Sequence, residues 1–89
     1  AINSLSNEEN KFLDFDISPN PVSDLINIKL PTVSKKIIVE IFDFTGRIIK
    51  SKIISNNDKS LNIKKLSNGV YIIKIATANK VGLKRFIKN

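Results

Sequence analysis

Residues 66–76 of the chain read LSNGVYIIKIA, a turn that leads into an apolar strand. The Asn-Gly pair in this stretch is typical of tight turns, because glycine reaches positive φ angles without steric cost. In the strand that follows, Tyr71, Ile73 and Ile75 fall on one face, since successive side chains of a strand alternate between its faces. The stretch therefore predicts a turn followed by a half-buried β-strand.

The same pattern recurs on both sides of this stretch, roughly every ten residues. No window of the sequence offers a long helix with an apolar face. We predict seven short strands, at Phe12–Ser18, Leu25–Leu30, Ile37–Phe44, Arg47–Ile54, Ser60–Lys64, Val70–Ala76 and Leu83–Lys88. This pattern predicts an all-β fold, an immunoglobulin-like β-sandwich of antiparallel strands. The predicted core consists of Ile26, Ile28, Leu30, Val39, Ile41, Leu61, Ile63, Tyr71, Ile73 and Ile75.

The predicted third strand has apolar residues on both faces, because Ile38, Phe42 and Phe44 fall opposite its core face. Two interpretations are open. Chain ends or loops cover the second face, or the second face is an exposed apolar patch that binds a partner.

The length of 89 residues gives room for one small domain and a short tail. Residues 1–11 are mostly polar and show no periodicity, so we predict a flexible linker there and a single domain over residues 12–89. The chain contains no methionine, and we therefore expect a module cut from a longer precursor. Every apolar run is shorter than the ~18 residues of a membrane-spanning helix, so no membrane span is predicted.

The net charge of +7 is concentrated in the second part of the chain. Residues 35–89 carry thirteen of the fifteen basic residues and only three of the eight acidic ones. Proteins that recognise nucleic acids use arginine forks and exposed aromatic rings. Here only Arg47 and Arg85 are arginines, and the lysines mostly alternate with isoleucine, which predicts that they lie on solvated strand faces. We therefore expect no specific nucleic-acid binding.

Catalytic and metal-binding side chains are scarce. The chain has no Cys, His, Met or Trp, which excludes disulfides, Cys/His zinc sites, haem ligation and catalysis by histidine or cysteine within it. Asp14 and Asp16 share a strand face but lack the further oxygen ligands and glycine-bearing loop of a calcium site. Tyr71 falls on the same strand face as Ile73 and Ile75. This position favours a core tyrosine whose hydroxyl is hydrogen-bonded over a tyrosine that stacks on a ligand. We predict no catalytic residue, no metal site and no cofactor.

Two turn motifs stand out. Pro19-Asn20-Pro21 forms a stiff connection between the first two predicted strands, because each proline fixes its own φ and restricts the residue before it. The link between the third and fourth strands begins with Asp43, which suits the first corner of a type I turn. It ends with Gly46, which supplies the positive φ that closes the hairpin.

The last predicted strand is basic, with Lys84, Arg85 and Lys88 at the end of the chain. These cations either protect an edge strand from pairing with other sheets or form a basic terminal signal for a receptor. The residues taken alone favour edge protection.

Taken in order, these motifs resemble one family, the type A C-terminal sorting domains of the type IX secretion system of Bacteroidota. Any one of the motifs is common, but four in this order over residues 12–89 make the resemblance specific. The matching segments are Ser18-Pro19-Asn20-Pro21, Phe42-Asp43-Phe44-Thr45-Gly46-Arg47, Leu66 through Gly69 to Tyr71, and the closing strand Lys84-Arg85-Phe86-Ile87-Lys88.

The resemblance implies a secretion signal, not an enzyme. Such domains end a cargo protein and direct it from the periplasm across the outer membrane, to the cell surface or the medium. The implied partners are the outer-membrane translocon, a shuttle β-barrel protein and a gingipain-like sortase. In many systems the sortase removes the domain, here at a bond before Phe12, and joins the cargo to lipopolysaccharide.

We expect the domain to be recognised as a folded surface, with the terminal strand and the Asp43–Arg47 hairpin as its contact elements. The implied sorting-motif residues are Pro19, Asn20, Pro21, Asp43, Gly46, Arg47, Leu66, Gly69, Tyr71, Lys84, Arg85 and Lys88. Two alternatives stay open at this point. One is a generic immunoglobulin-like structural or adhesion module. The other is a lysine-rich sheet that binds lipopolysaccharide or nucleic acid by charge alone. Such binding weakens steeply as the ionic strength rises.

Overall fold

Alternating apolar residues give seven strands in the computed structural model, which describes residues 12–19, 21–30, 36–55 and 59–89. They are β1 (Asp16–Ser18), β2 (Leu25–Lys29), β3 (Ile37–Asp43), β4 (Ile48–Ile54), β5 (Ser60–Asn62), β6 (Gly69–Ala76) and β7 (Val81–Lys88). A three-stranded sheet has the order β1-β2-β5 and a four-stranded sheet the order β4-β3-β6-β7. Neighbouring strands within both sheets are antiparallel. The predicted all-β sandwich is confirmed.

The strand order is that of an immunoglobulin-like sandwich. In such domains the second and fifth strands in chain order lie in one sheet, and the third strand lies in the other sheet together with the last two strands. The same arrangement holds here, with β4 added beside β3. The predicted linker at residues 1–11 lies outside the described residues.

Six of the predicted strands begin and end within two residues of the observed ones, but the prediction for the first strand was wrong at its start. Residues 12–15 do not belong to β1. Instead Phe12 forms a parallel bridge with Val81 of β7, and the Leu13 amide donates to the Val81 carbonyl at 2.9 Å. Buried and exposed residues do alternate in this segment, but its backbone pairs with β7 of the four-stranded sheet and not with β2.

The N-terminal segment closes one side of the sandwich by changing sheets twice. After pairing with β7, the chain joins β2 through β1 and then returns to β7, where the Val22 amide donates to the Ile87 carbonyl at 2.8 Å. The Asn89 amide donates back to the Val22 carbonyl at 2.9 Å. As a result β7, although last in its sheet, is hydrogen-bonded at both ends of its outer edge.

The core lies between the two sheets. Its buried residues are Leu13, Phe15, Val22, Ile26, Ile28, Ile37, Val39, Ile41, Ile54, Leu61, Ile63, Tyr71, Ile73, Ile75 and Phe86. Nine of the ten predicted core residues are in this set. The exception is Leu30, which follows the last residue of β2 and is only partly buried against the cluster. The predicted core did not include the contributions of the N-terminal segment, because these depend on its change of sheet.

Tyr71 anchors β6 to the turn before it. Its ring stacks on Phe86 of β7 with centroids 5.6 Å apart, and its hydroxyl donates to the Ser67 carbonyl at 2.5 Å. A tyrosine near the start of this strand that bonds backbone a few residues upstream is a hallmark of immunoglobulin-like domains. The predicted core tyrosine with a bonded hydroxyl is confirmed.

Candidate functional site

The hairpin between β3 and β4 has the geometry that its sequence predicts. The Gly46 amide donates to the Asp43 carbonyl at 3.0 Å, and the Asp43 amide donates to the Arg47 carbonyl at 3.0 Å. Gly46 has a φ of 91°, as expected of the glycine that ends a type I turn in a three-residue hairpin loop. The predicted positive φ at this position is confirmed.

The carboxylate of Asp43 holds this hairpin together. Its Oδ1 accepts hydrogen bonds from the Thr45 hydroxyl at 2.5 Å and the Thr45 amide at 2.9 Å. The same oxygen accepts the Arg47 amide at 3.0 Å, and Oδ2 lies 3.4 Å from Nε of the exposed Arg47 guanidinium. The hydroxyl bond from Thr45, followed by the Arg47 amide bond, lowers the pKa of Asp43 below its ordinary value of 3.8. Asp43 is therefore a structural carboxylate of the turn.

The segment that leads into β6 is a second ordered turn. The Lys64 amide donates to the side chain of Asn62 at 2.9 Å, and the Leu66 amide donates to the Ile63 carbonyl at 3.0 Å. Leu66 packs against the core cluster, and Gly69 begins β6 opposite Lys88. Both residues fix the position of β6.

The proline segment lies beside the end of the terminal strand. Pro19 and Pro21 are both exposed, and the next residue, Val22, is buried and bridges Lys88. Asn20 lies outside the described residues. The two prolines therefore bracket the point where the chain returns to β7.

The motifs meet at one end of the sandwich. Asp43, where the hairpin begins, pairs with Tyr71, and Tyr71 pairs with Phe86. Lys88 bridges both Gly69 and Val22. The hairpin, the turn before β6, the proline segment and the end of β7 are thus neighbours, which we call the motif end.

The terminal strand does not present its three cations together. Lys84 and Lys88 lie on its inner side, whereas Arg85 points to the outer side. Lys88 is only 6% exposed, so the prediction that lysines lie on solvated strand faces was wrong here. The burial of Phe86 sets the phase of the strand, and an inward lysine can bury its aliphatic stem while its charged end reaches the margin of the sheet.

Lys84 lies at the seam between the two sheets. Its Nζ is 3.8 Å from Oδ1 of Asp16 in β1 and 5.9 Å from the centroid of the Phe15 ring. A lysine ammonium group above an aromatic face is attracted by the quadrupole of the ring, because electron density is highest over the face. Lys84 therefore links β7 to the N-terminal segment.

The solvent-facing side of the four-stranded sheet is largely apolar, and we call it the outer face. It is formed by Ile48, Ser51 and Ile53 of β4, Ile38, Glu40 and Phe42 of β3, Val70, Ile72, Lys74 and Ala76 of β6, and Val81, Leu83, Arg85 and Ile87 of β7. Ile38 and Phe44 are exposed and Phe42 is partly buried. Of the two interpretations of the third strand, the exposed patch is the one that the described residues support.

The described residues gather no catalytic or metal-binding set. They contain no cluster of three or more acidic side chains and no helix long and apolar enough to span a membrane. A cleft of about 350 Å³ lies beside β4 and β5 and is lined by Lys50, Asn62, Ile63, Lys64, Lys65 and Leu66. These residues supply neither a nucleophile with a base nor a pair of carboxylates.

The sequence over residues 16–89 matches the family described as the secretion system C-terminal sorting domain. This chain belongs to that family. Its sorting domain is a C-terminal secretion signal that marks the protein carrying it for export through the type IX system to the outside of the cell. The sorting domain itself is not catalytic.

Two curated relatives are enzymes that match the sorting domain only through a small part of their length. An endo-acting ulvan lyase of Formosa agariphila is 35% identical over 82 residues, which are 89% of this chain and 16% of the enzyme. A funoran endo-beta-hydrolase of Wenyingzhuangia aestuarii is 27% identical over 73 residues, which are 80% of this chain and 10% of the enzyme. The shared part is the sorting domain, and this chain spans less than a fifth of the length of either relative.

Proposed function

We propose that this sorting domain is recognised as a folded unit by the outer-membrane type IX translocon and then handed to a shuttle β-barrel protein. The observation that carries the proposal is the convergence of the four motifs at the motif end, joined by the pairs Asp43–Tyr71 and Gly69–Lys88. In an extended chain these motifs would be spread over some seventy residues, about 230 Å. A receptor that reads all of them needs the fold.

The sorting-motif residues divide into two roles in this proposal. Residues that build the motif end are Asp43, Gly46, Leu66, Gly69, Tyr71, Lys84 and Lys88, through the turn bonds, strand pairs and packing described above. Residues that present side chains to a receptor are Pro19, Pro21, Arg47 and Arg85, all of which are exposed. Asn20 joins the second group by its place between the prolines.

The fate of the cargo is a further part of the proposal. We propose that a gingipain-like sortase cleaves the chain upstream of Phe12 and transfers the cargo to lipopolysaccharide. Deleting the sortase would then leave the sorting domain attached to the cargo and the cargo without lipopolysaccharide, so an antibody against the sorting domain should stain the cargo band. Cargo that still lacks the domain and still carries lipopolysaccharide in the deletion strain would contradict this step.

Recognition at the motif end is tested by photocrosslinking in a type IX-competent cell. A photoreactive residue replaces Phe44, which is 81% exposed in the hairpin, and a matched one replaces Lys29 on the outer side of the three-stranded sheet. We expect the Phe44 probe to label the translocon or the shuttle protein and the Lys29 probe to label neither. Equal labelling from both positions, or none from Phe44, would overturn recognition through this end.

A further inference from the structure

We propose that the outer face of the four-stranded sheet is the docking surface of the sorting domain. The partner we infer is one protein of the export machinery that offers an apolar patch and a carboxylate. The inference rests on the proposed function and deepens it, since the outer face adjoins the motif end. Of the implied sorting-motif residues that the structure describes, only Arg85 lies on this face.

The apolar side chains of the outer face form two bands across the sheet. The band farther from the motif end joins Ile53, Ile38, Ala76 and Val81 across the four strands. The nearer band joins Ile48, Phe42 and Ile72, with Val70 and Ile87 just beyond. Between the bands lies the row Ser51, Glu40, Lys74 and Leu83, in which Nζ of Lys74 is 3.9 Å from Oε1 of Glu40 and Leu83 is 65% exposed. The apolar side chains of the two edge strands are 37–65% exposed, and an exposed surface with this many apolar side chains is typical of an interaction site.

The other sheet shows that an apolar outer surface is not required by this fold. The solvent-facing residues of the three-stranded sheet are Asp16, Ser18, Leu25, Asn27, Lys29, Ser60 and Asn62. Only Leu25 among them is apolar. One sheet is therefore solvated in the ordinary way and the other presents isoleucine, valine and leucine to solvent.

Arg85 gives the docking surface its charge preference. It lies in the nearer band opposite Ile72, and it is exposed. Within the described part of the chain no acidic side chain pairs with it, since Glu40 of the same face is paired with Lys74. An arginine set among apolar side chains favours a partner carboxylate, which it can bind with two parallel hydrogen bonds.

The preceding cargo domain is a poor occupant for this face. The two curated relatives share the sorting domain although one is a lyase and the other a hydrolase, and the match covers 16% and 10% of them. Domains of this family thus follow catalytic parts of different kinds. The partner common to all such proteins is the machinery that exports them.

The size of the face argues against a stable dimer. Four strands ~4.8 Å apart and seven residues of ~3.3 Å give a footprint of roughly 19 Å by 23 Å, or about 440 Å². Each partner of a standard stable interface buries about 800 Å². A footprint of this size suits a transient encounter, as expected for a receptor that must release what it binds.

The test uses outward-facing substitutions that leave the core intact. The apolar variant carries Ile48→Thr on β4 and Ile87→Thr on β7, the two edge strands of the sheet, and the charge variant carries Arg85→Gln. The control is Leu25→Thr on the other sheet, because Leu25 is 43% exposed and the two isoleucines are 47% and 46% exposed. Each domain is fused behind a fluorescent reporter with a Sec signal, and the exported fraction is measured together with the thermal midpoint of the purified domain.

We expect the apolar variant to lower export about five- to tenfold and the charge variant about threefold or more, as for the loss of one or two contributing interface side chains. Leu25→Thr should export like the unmodified domain, and all thermal midpoints should agree. Normal export of both outer-face variants would overturn the docking surface while leaving the sorting role intact. Failure of the unmodified domain to export would instead contradict the proposed function.

A second copy of the chain is the alternative occupant, and sedimentation decides it. We expect the purified domain to sediment as a monomer at micromolar concentration. A dimer that the Ile48→Thr, Ile87→Thr variant dissociates would overturn the inference, because the face would then be occupied by the chain itself.

Discussion

At Gly82 the N-terminal segment lies directly against β7. A Cβ built at this position would collide with the backbone carbonyl of Leu13 and would lie 2.9 Å from Cε1 of Phe15. A backbone oxygen cannot rotate away as a flexible side chain can. This constraint could not be predicted from the sequence, because Gly82 stands just before the predicted strand Leu83–Lys88 and has the place of an ordinary turn glycine.

We expect Gly82→Ala to lower the free energy of unfolding by about 1–3 kcal/mol, the range for overpacked sites. The neighbouring Val81→Ala points to the outer face and should cost less than ~1 kcal/mol. Urea unfolding of the two variants measures the difference. Equal midpoints would mean that the N-terminal segment does not pack on β7 as described.

Asp43 gives the hairpin a pH dependence of known sign. Its pKa is lowered first by the Thr45 hydroxyl and then by the Arg47 amide, so the ionised form stabilises the folded hairpin. This contribution is fully present above the ordinary pKa of 3.8. It is lost as the pH falls through the lower pKa of the folded state.

We expect Thr45→Val to raise the pKa of Asp43 towards 3.8, because it removes the donor with the largest effect. Carbon-detected NMR of the Asp43 carboxyl group during a pH titration measures the shift. Thr77→Val is the matched control, since the Thr77 hydroxyl contacts Lys80 in a different turn. An Asp43 titration that Thr45→Val leaves unchanged would refute this account of the turn.

At the scale of elements, β7 is part of the core and not a removable tag. It pairs with β6 along its whole length, and its Phe86 is 2% exposed and stacks on Tyr71. Deletion of residues 83–89 would therefore remove six of the eight residues of β7 and leave most of β6 without its neighbour. The loss of export expected from such a deletion would not identify a contact.

We expect the deletion of residues 83–89 to abolish cooperative unfolding, and Phe86→Ala to cost about 3–5 kcal/mol, a large part of the ~5–15 kcal/mol of a small domain. Circular dichroism during thermal unfolding measures both. The outward-facing Leu83→Thr is the control on the same strand and should leave the midpoint nearly unchanged. A deleted domain that still melts cooperatively near the original midpoint would show that β7 is dispensable for the fold.

Most elements could be predicted from the sequence because their alternation is local. β2, β3, β5 and β6 show apolar residues at every second position, and the hairpin carries its own turn residues. Two features depend on distant partners and escaped prediction. The segment at residues 12–15 alternates like a strand but pairs with the other sheet, and the phase of β7 is set by Phe86 rather than by its lysines.

The candidate site divides in the same way. The motif residues could be identified along the chain, but their convergence follows from pairs such as Gly69–Lys88 and Val22–Lys88 that only the folded topology brings together. The apolar second face of β3 was visible in the sequence. That this apolar face continues across all four strands could be seen only from the registers in which β4, β6 and β7 pair.

In the whole molecule, a core between two sheets supports two surfaces, the motif end and the outer face. The motif end gathers the turns, and the outer face gathers apolar side chains beside it. A folded domain that carries its own signal can be attached to cargo of any kind. Its signal should therefore depend on the fold and on the export machinery, and on nothing in the cargo.

The measurement that tests this account most directly is the export of an unrelated reporter. Residues 1–89 are fused to the C-terminus of a fluorescent protein with a Sec signal, in a type IX-competent bacterium and in its translocon mutant. We expect the reporter to be found at the surface or in the medium of the first strain and in the periplasm of the second. Reporter held in the periplasm of both strains, with the domain folded, would contradict it.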